Sequence, residues 1–267
     1  MSTEKLVKDT ITTAISTYLE NKNSPETKHV ILDSIFPVER RIRSIIGGLE
    51  TSLGITVWER LATDIAAANG FSIEDPKSFE MPEKLPKSIS TFISQTKQKR
   101  ENPAEKIDFD NILRYLRKLC LKESKSNLKF IKTSSGDGVD LWFRKDGKNY
   151  IFDTKTVQIN AGGGNNFANK VLHWYAYFWL KYPKEELLAG MAFPYSPYPP
   201  SFDSDSWWDK NGNRANPLEK GKDAFVQGDF WNLLTDSNDT WSKILSGIRK
   251  VDSEKLIKRY SNLFYGK

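Results

Sequence analysis

One stretch of the sequence, VDLWFRKDGKNYIFDTK at 139–155, alternates apolar and polar residues on both sides of Asp146-Gly147. Asp-Gly is favoured in two-residue type I′ hairpin turns, because both central residues of that turn need positive φ. The two flanks are therefore predicted to form antiparallel strands that pair symmetrically about the turn. This pairing places Asp140 directly opposite Asp153, so the turn determines which acidic side chains meet.

Two carboxylates that face each other across a hairpin repel, so they need a positive partner. Lys155 projects from the same face as Asp153, because side chains two residues apart on a strand share a face. The two carboxylates, with the backbone carbonyl of Thr154, also predict a site for Mg²⁺, which prefers oxygen ligands. Such an ion polarises a phosphoryl oxygen and activates water, so the predicted chemistry is phosphodiester hydrolysis, with Lys155 positioning the water. The alternative is a solvent-facing charge cluster on an edge hairpin.

The spacing of these residues resembles the PD-(D/E)XK nuclease motif. Val139-Asp140 corresponds to its first half and Asp153-Thr154-Lys155 to its second half. Valine stands where the motif has proline, at a position without a chemical role. The resemblance implies a restriction-endonuclease-like α/β/α core, in which a mixed central sheet is flanked by helices.

A longer resemblance extends over most of residues 55–235. The segments GDGVDLWFRKDGKNYIFDTKTVQINAGGGNNFANKVLHWYAYFWLKYP, MAFPYSPYPP and GDFWNLL resemble the TdeIII-type family of type II restriction endonucleases, and ITVWERLATDIAAANGF resembles its N-terminal helix. The resemblance implies a Mg²⁺-dependent homodimer that cuts double-stranded DNA at GGNCC, beside a cognate methyltransferase that protects host DNA. It also implies that Glu59 adds a carboxylate near the metal. An exposed glutamate in a first helical turn is the alternative.

The length of 267 residues is sufficient for a large core, and we predict a single endonuclease domain over 1–267. Within it we expect a helical N-terminal extension at 1–54, a catalytic core at 55–235 and a C-terminal helix at 236–267. The net charge of +6 favours a polyanionic partner without requiring one. The single cysteine, Cys120, excludes an internal disulfide framework and is expected to be a buried helix residue.

The sequence has no stretch near the ~20 apolar residues of a membrane span, and its first residues lack the apolar segment of a secretory signal. A cytoplasmic protein with no membrane association is therefore expected.

Candidate DNA contacts are of two kinds. Amide side chains match adenine edges and basic side chains match guanine edges in the major groove, whereas clustered arginines can bind phosphates. A polar, glycine-rich loop after the hairpin supplies the first kind, and a predicted helix within 28–50 supplies the second. A flexible loop and a solvated helix face are the respective alternatives. The candidates are Gln158, Asn160, Asn165, Asn166 and Lys170 for bases, and Arg40, Arg41 and Arg43 for phosphates.

Residues 167–182 read as a helix that is apolar nearly all round and therefore buried. His173 lies within it and is interpreted as a hydrogen-bonded core residue, with a general base as the alternative. The Pro- and aromatic-rich stretch at 194–217 is expected to form no regular element.

Three other functions stay open: a structure-selective repair or junction nuclease, a non-catalytic module that binds carbohydrate or single strands through aromatics at 191–208, and an interaction protein that dimerises through the aromatic helix.

Overall fold

The structure is a computed structural model that describes residues 2–22, 29–102, 105, 108–123, 128–155, 159–160 and 162–266, without the side chains of 53, 55 and 56. The chain divides into two compact units. One unit is formed by Met1–Ile65 with Asp239–Lys267, and the other by Ala66–Asn238. The single domain and its boundaries at 54 and 235 stay predictions.

Helices account for much of the described chain. In chain order they are α1 (Thr3–Glu20), α2 (Val30–Ile35), α3 (Pro37–Leu53), α4 (Arg60–Ala68), α5 (Lys87–Glu101), α6 (Phe109–Lys122), α7 (Gly163–Lys181), α8 (Ser204–Ala215), α9 (Gly228–Trp231), α10 (Thr240–Arg249), α11 (Ser253–Arg259) and α12 (Ser261–Tyr265). A π-helical turn, Gly54–Glu59, lies between α3 and α4, and short 3₁₀ turns span Pro76–Ser78 and Asn232–Leu234.

The strands form one mixed sheet and one two-stranded sheet. They are β1 (Ser72–Ile73), β2 (Glu80–Pro82), β3 (Phe130–Lys132), β4 (Leu141–Lys145), β5 (Lys148–Thr154), β6 (Glu186–Phe193) and β7 (Ala224–Val226). The mixed sheet has the order β1-β4-β5-β6-β7, and β2 pairs with β3 separately. The β1–β4 and β4–β5 pairs are antiparallel, whereas β5–β6 and β6–β7 are parallel. The predicted mixed α/β fold is confirmed.

The hairpin of β4 and β5 forms as the Asp-Gly turn predicts. Asp146 and Gly147 have φ values of 50° and 75°, which are the positive angles that a type I′ turn needs. Lys145 lies opposite Lys148, so the strands pair symmetrically about the turn. The predicted register is confirmed over the whole length of β4.

The sheet buries both of its faces, because neighbouring residues of β5 point in opposite directions. Ile151 belongs to a large apolar cluster with residues of α5, α6 and α7. Phe152 points to the other face, where its ring lies 5.5 Å from that of Phe225 and 5.2 Å from that of Phe230. Helices and aromatic side chains therefore fix the hairpin from both sides.

In the first unit, α1 packs closely against α10. The buried apolar residues Val7, Ile11 and Ala14 follow one face of α1, and Ser2 caps its first turn. A Cβ atom at Gly247 of α10 would lie 2.7 Å from the backbone oxygen of Glu4. Only glycine lets the two backbones approach this closely.

Two predictions about later elements have opposite outcomes. The buried helix expected at 167–182 is observed as α7, with ten buried residues. The expectation of no regular element at 194–217 is wrong, because α8 occupies its second half. The Asp203 side chain caps α8 by accepting a hydrogen bond from the Ser206 backbone N–H at 2.9 Å. Among the helices that the structure describes, none is long and apolar enough to cross a bilayer.

Candidate active site

The open end of the β4–β5 hairpin holds the two predicted aspartates. Asp140 lies immediately before β4, and its backbone N–H donates to the carbonyl of Phe152 at 2.9 Å. Its carboxylate oxygen Oδ2 accepts from the Thr154 backbone N–H at 2.8 Å and from Thr154 Oγ1 at 3.2 Å. Thr154 therefore fixes the Asp140 carboxylate at the end of β5.

Asp153 is the most buried member of the site, with 2 % of its surface exposed. Both of its carboxylate oxygens are ion-paired: Oδ1 with the ammonium of Lys155 and Oδ2 with the ammonium of Lys170. The backbone N–H of Lys155 donates to the carbonyl of Ala192 at 2.9 Å, which continues the pairing of β5 with β6. The sheet thus positions Lys155, and α7 supplies Lys170.

Burial and charge both act on the Asp140 carboxyl group. Burial raises its pKa, the neighbouring Asp153 carboxylate raises it further, and the hydrogen bond from the Thr154 N–H opposes both effects. These causes disfavour the negative charge of Asp140 in the absence of a further cation. A positive ion close to both aspartates would relieve that cost.

A cavity of about 500 Å³ opens beside Asp153 and Lys155. One face of α7 forms its wall, because Asn166, Lys170, His173 and Tyr177 recur at helical spacing. The loop before β4 lines the other side through Gly136 and Asp137.

The loop before β4 is hydrogen-bonded to α7, and its Asp137 carboxylate also acts on the Tyr177 hydroxyl of that helix. Trp174 Nε1 donates to the backbone oxygen of Asp137 at 2.8 Å. Burial and then the Asp137 carboxylate raise the pKa of the Tyr177 hydroxyl. Of the two hairpin aspartates, Asp153 lines the cavity. The cavity therefore offers the Asp153 carboxylate and the ammonium groups of Lys155 and Lys170.

The donor set of this site suits Mg²⁺. This ion keeps several waters and is usually held by one or two carboxylates together with substrate phosphates. The described residues contain no group of three or more His, Cys, Asp or Glu that could hold a metal. Two carboxylates whose charges repel are consistent with a Mg²⁺ site of this kind, in which few protein ligands hold the ion. The Thr154 carbonyl stays a predicted ligand.

The other predicted contacts are distributed over the chain. Asn166 lines the cavity and is exposed, Asn165 is half-buried, and the carbonyl of Asn160 accepts from the Gly163 N–H at 2.8 Å. Lys170 was expected to read bases, but its ammonium contacts Asp153. Gln158 lies outside the described residues.

Four predicted residues belong to the first unit. Arg40 pairs with Asp33 at 3.1 Å, Arg41 is half-buried and Arg43 is exposed. Glu59 ends the π-helical turn and is half-buried, and its backbone oxygen accepts from Thr63 Oγ1 at 2.9 Å. Their roles at the metal or on DNA stay predictions.

Sequence reasoning missed part of the cavity wall. His173 does make the expected hydrogen bond, since its Nδ1 lies 2.8 Å from the Asn169 carbonyl, but its placement in the core is wrong. It is half-buried and lines the cavity. The signal was the recurrence of polar residues at 166, 170, 173 and 177, which marks one face of the helix.

Comparisons with known proteins place the chain in a family of restriction endonucleases. The family described as "Type II restriction endonuclease, HinfI" matches residues 2–252. The type II restriction enzyme MjaII of Methanocaldococcus jannaschii is 23 % identical over 211 residues, which cover 76 % of this chain and 53 % of that protein. The chain thus spans about half the length of this relative. The endonuclease resemblance is confirmed at the level of type II restriction enzymes, and the TdeIII-type assignment stays a prediction. Because the family match covers nearly the whole sequence, the chain belongs to the HinfI family of type II restriction endonucleases.

Proposed function

We propose that this chain is a type II restriction endonuclease that hydrolyses double-stranded DNA at a specific site with Mg²⁺ as cofactor. The observation that carries the proposal is the cluster of Asp140, Asp153 and Lys155 at the end of the β4–β5 hairpin. Its cavity is open to solvent and carries ammonium groups, which suits a phosphodiester. The family of the chain supports the same activity.

The residues of the cluster would divide the work of hydrolysis. Asp140 and Asp153 would hold Mg²⁺ with the carbonyl of Thr154, and Glu59 is a further candidate. When bound, Mg²⁺ supplies Lewis acidity and lowers the pKa of a coordinated water. Thr154 holds the Asp140 carboxylate through two hydrogen bonds, so that oxygen is oriented in advance. The Lys155 side chain is 36 % exposed, and its ammonium would orient the attacking water.

The proposed DNA contacts come from the residues after β5 and from the arginines of α3. Asn166 would contact DNA at the mouth of the cavity, with Asn160, Asn165 and Gln158 nearby in sequence. Arg40, Arg41 and Arg43 would bind phosphates. A GGNCC site and a cognate methyltransferase rest on the sequence resemblance to the TdeIII-type family, and 5′-phosphate ends are expected from in-line attack of the water that Lys155 would position.

A palindromic site calls for two active sites related by a twofold axis, so we propose a homodimer. The support is an apolar surface on α2 and α3, where side chains of large apolar residues are exposed. Val30 is 84 % exposed, Ile31 66 % and Ile35 60 %, followed by Phe36 and Val38. Exposed apolar clusters of this kind commonly mark protein interfaces. A twofold axis would bring the same apolar surface of two copies of the chain into contact.

Digestion of plasmids of known sequence tests the function. Purified protein with Mg²⁺ should give discrete fragments whose ends share one short sequence, and a chelator should abolish cleavage. Cutting confined to branched or nicked DNA would indicate a structure-selective nuclease instead. If Mg²⁺ neither enables cleavage nor changes thermal stability, the protein is a non-catalytic binding module.

A further inference from the structure

A second lysine occupies the carboxylate that the proposed metal ion would need. The ammonium of Lys170 contacts Asp153 Oδ2, while Lys155 contacts the other oxygen of the same group. The Lys170 side chain is 17 % exposed, and its ammonium also lies 5.0 Å from the centre of the Trp174 ring. Lys170 is therefore part of the carboxylate cluster and does not extend freely towards solvent.

The backbone that carries Lys170 is fixed by close packing. A Cβ atom at Gly164, in the first turn of α7, would lie 2.3 Å from the backbone oxygen of Ala215. One turn beyond Lys170, Trp174 is hydrogen-bonded to the loop before β4. Movement of the ammonium away from Asp153 therefore needs rotation of the lysine side chain, for which the adjoining cavity has room.

We propose that Lys170 is a positioning residue that occupies Asp153 Oδ2 in the metal-free protein and competes there with the divalent cation, so that it sets the cation affinity of the site. The inference rests on the proposed role of Asp140 and Asp153 as metal ligands. It gives Lys170 a function other than base recognition.

The charges of the cluster support this competition. When both aspartates are ionised, the two carboxylates and two ammonium groups sum to zero, so a divalent cation enters a site that is already neutralised. Without Lys170 the cluster would carry one net negative charge, and Oδ2 of Asp153 would have no ammonium on it. Charges a few ångströms apart in a partly buried site interact strongly, so loss of Lys170 should tighten cation binding by about 10- to 100-fold.

The competition also explains why the lysine lies on the cavity wall. When the cation holds Asp153, the ammonium of Lys170 is released within the cavity that would receive DNA. A phosphate oxygen is a strong alternative partner for it. Cation uptake and contact with the phosphodiester would then favour each other.

Calcium binding to the full chain without DNA tests the proposal, because Ca²⁺ takes the same class of oxygen ligands. The wild type and Lys170→Met are titrated by calorimetry, and their melting temperatures are measured with and without Ca²⁺. We expect Lys170→Met to bind Ca²⁺ about 10- to 100-fold more tightly. We also expect it to melt at a lower temperature when metal-free, because Asp153 loses a partner, and to gain more from Ca²⁺.

Two further variants separate charge from a general effect of mutation. Lys170→Arg keeps the positive charge and should retain the weak affinity of the wild type. Lys181→Met is the matched control, because Lys181 lies on the same helix and pairs with Glu80 at 2.6 Å. If Lys170→Met does not fold, Lys170→Gln removes the charge and keeps a hydrogen-bond donor.

The outcomes distinguish this inference from the proposed function. Suppose that the double variant Asp140→Asn, Asp153→Asn no longer binds Ca²⁺. If Lys170→Met then binds Ca²⁺ within threefold of the wild-type affinity, or more weakly, only the proposed role of Lys170 is overturned. If that double variant binds Ca²⁺ as the wild type does, the metal site itself is wrong and both proposals fail.

Discussion

The buried ion pair between Arg100 of α5 and Asp223 before β7 provides a quantitative test of the fold. Their side chains are 3 % and 0 % exposed, and Arg100 Nη2 lies 2.8 Å from Asp223 Oδ2. Arg100 also donates to the carbonyl of Pro217 at 2.6 Å and lies 5.0 Å from the centre of the Phe109 ring. Arg100→Met keeps an unbranched apolar chain in this position but removes the charge and the hydrogen bonds.

The cost of the change follows from the charge that it leaves behind. Removing one partner of a buried ion pair costs about 3–5 kcal/mol, because the remaining charge stays buried without its ion partner. Native proteins are stable by only about 5–15 kcal/mol, so the loss would be a large fraction of the total. We therefore expect Arg100→Met to lower the free energy of unfolding by about 3–5 kcal/mol near pH 8.

The loss should depend on pH, because a buried carboxylate can take up a proton. Burial raises the pKa of Asp223 from its ordinary 3.8, and Arg100 opposes this rise. A carboxyl group whose folded-state pKa is raised contributes stability below its unfolded pKa and loses it as the pH rises through the folded pKa. Without Arg100 the pKa rises further, so the deficit of Arg100→Met should shrink as the pH falls from 8 towards 5.

Urea unfolding followed by tryptophan fluorescence at pH 8 and pH 5 measures both effects. Lys97→Met is the matched control on the same helix, because Lys97 pairs with Glu101 at 3.8 Å in a partly exposed position. Such surface pairs contribute about 0–1 kcal/mol. The double variant with Asp223→Asn should recover part of the loss. A deficit in Arg100→Met no larger than that of Lys97→Met, or one that is equal at both pH values, would refute the reasoning.

Two further predictions concern the core and the surface. Burial raises the pKa of the Cys120 thiol to about 12, so a thiol reagent at pH 8 should label the native protein at least about 100-fold more slowly than the urea-unfolded protein, and rapid native labelling would contradict its burial. Ile31→Glu on the exposed surface of α2 should convert the dimer to a monomer in light scattering, whereas Tyr115→Glu on α6, at a position 54 % exposed, should not. A monomeric wild type, or a dimer that survives Ile31→Glu, would count against the proposed interface.

The hairpin could be predicted in detail because its determinants are local. Asp146-Gly147 fixes the turn, and the alternation of the flanks fixes which residues share a face. The sequence also indicated that α7 is a buried helix, since its apolar residues leave little polar surface. Elements that are determined by residues close together in sequence could therefore be predicted from the sequence alone.

The remaining features depend on contacts between distant segments. Which face of α7 meets the hairpin is decided by packing, so the sequence alone did not indicate that His173 lines the cavity or that Lys170 contacts Asp153. The helix α8 was not predicted for another reason: the prolines and aromatic residues before it are typical of an irregular loop, although Asp203 is an ordinary N-cap residue.

We assign Asp153 to cleavage rather than to folding or DNA binding. Cleavage of plasmid DNA with Mg²⁺ by Asp153→Ala should fall by about 10³-fold or more, while DNA binding in Ca²⁺ persists. Asp236→Asn is the control, because it alters an exposed carboxylate that pairs with Lys145. Retained cleavage in Asp153→Ala at the rate of the control would contradict the assignment of the active site.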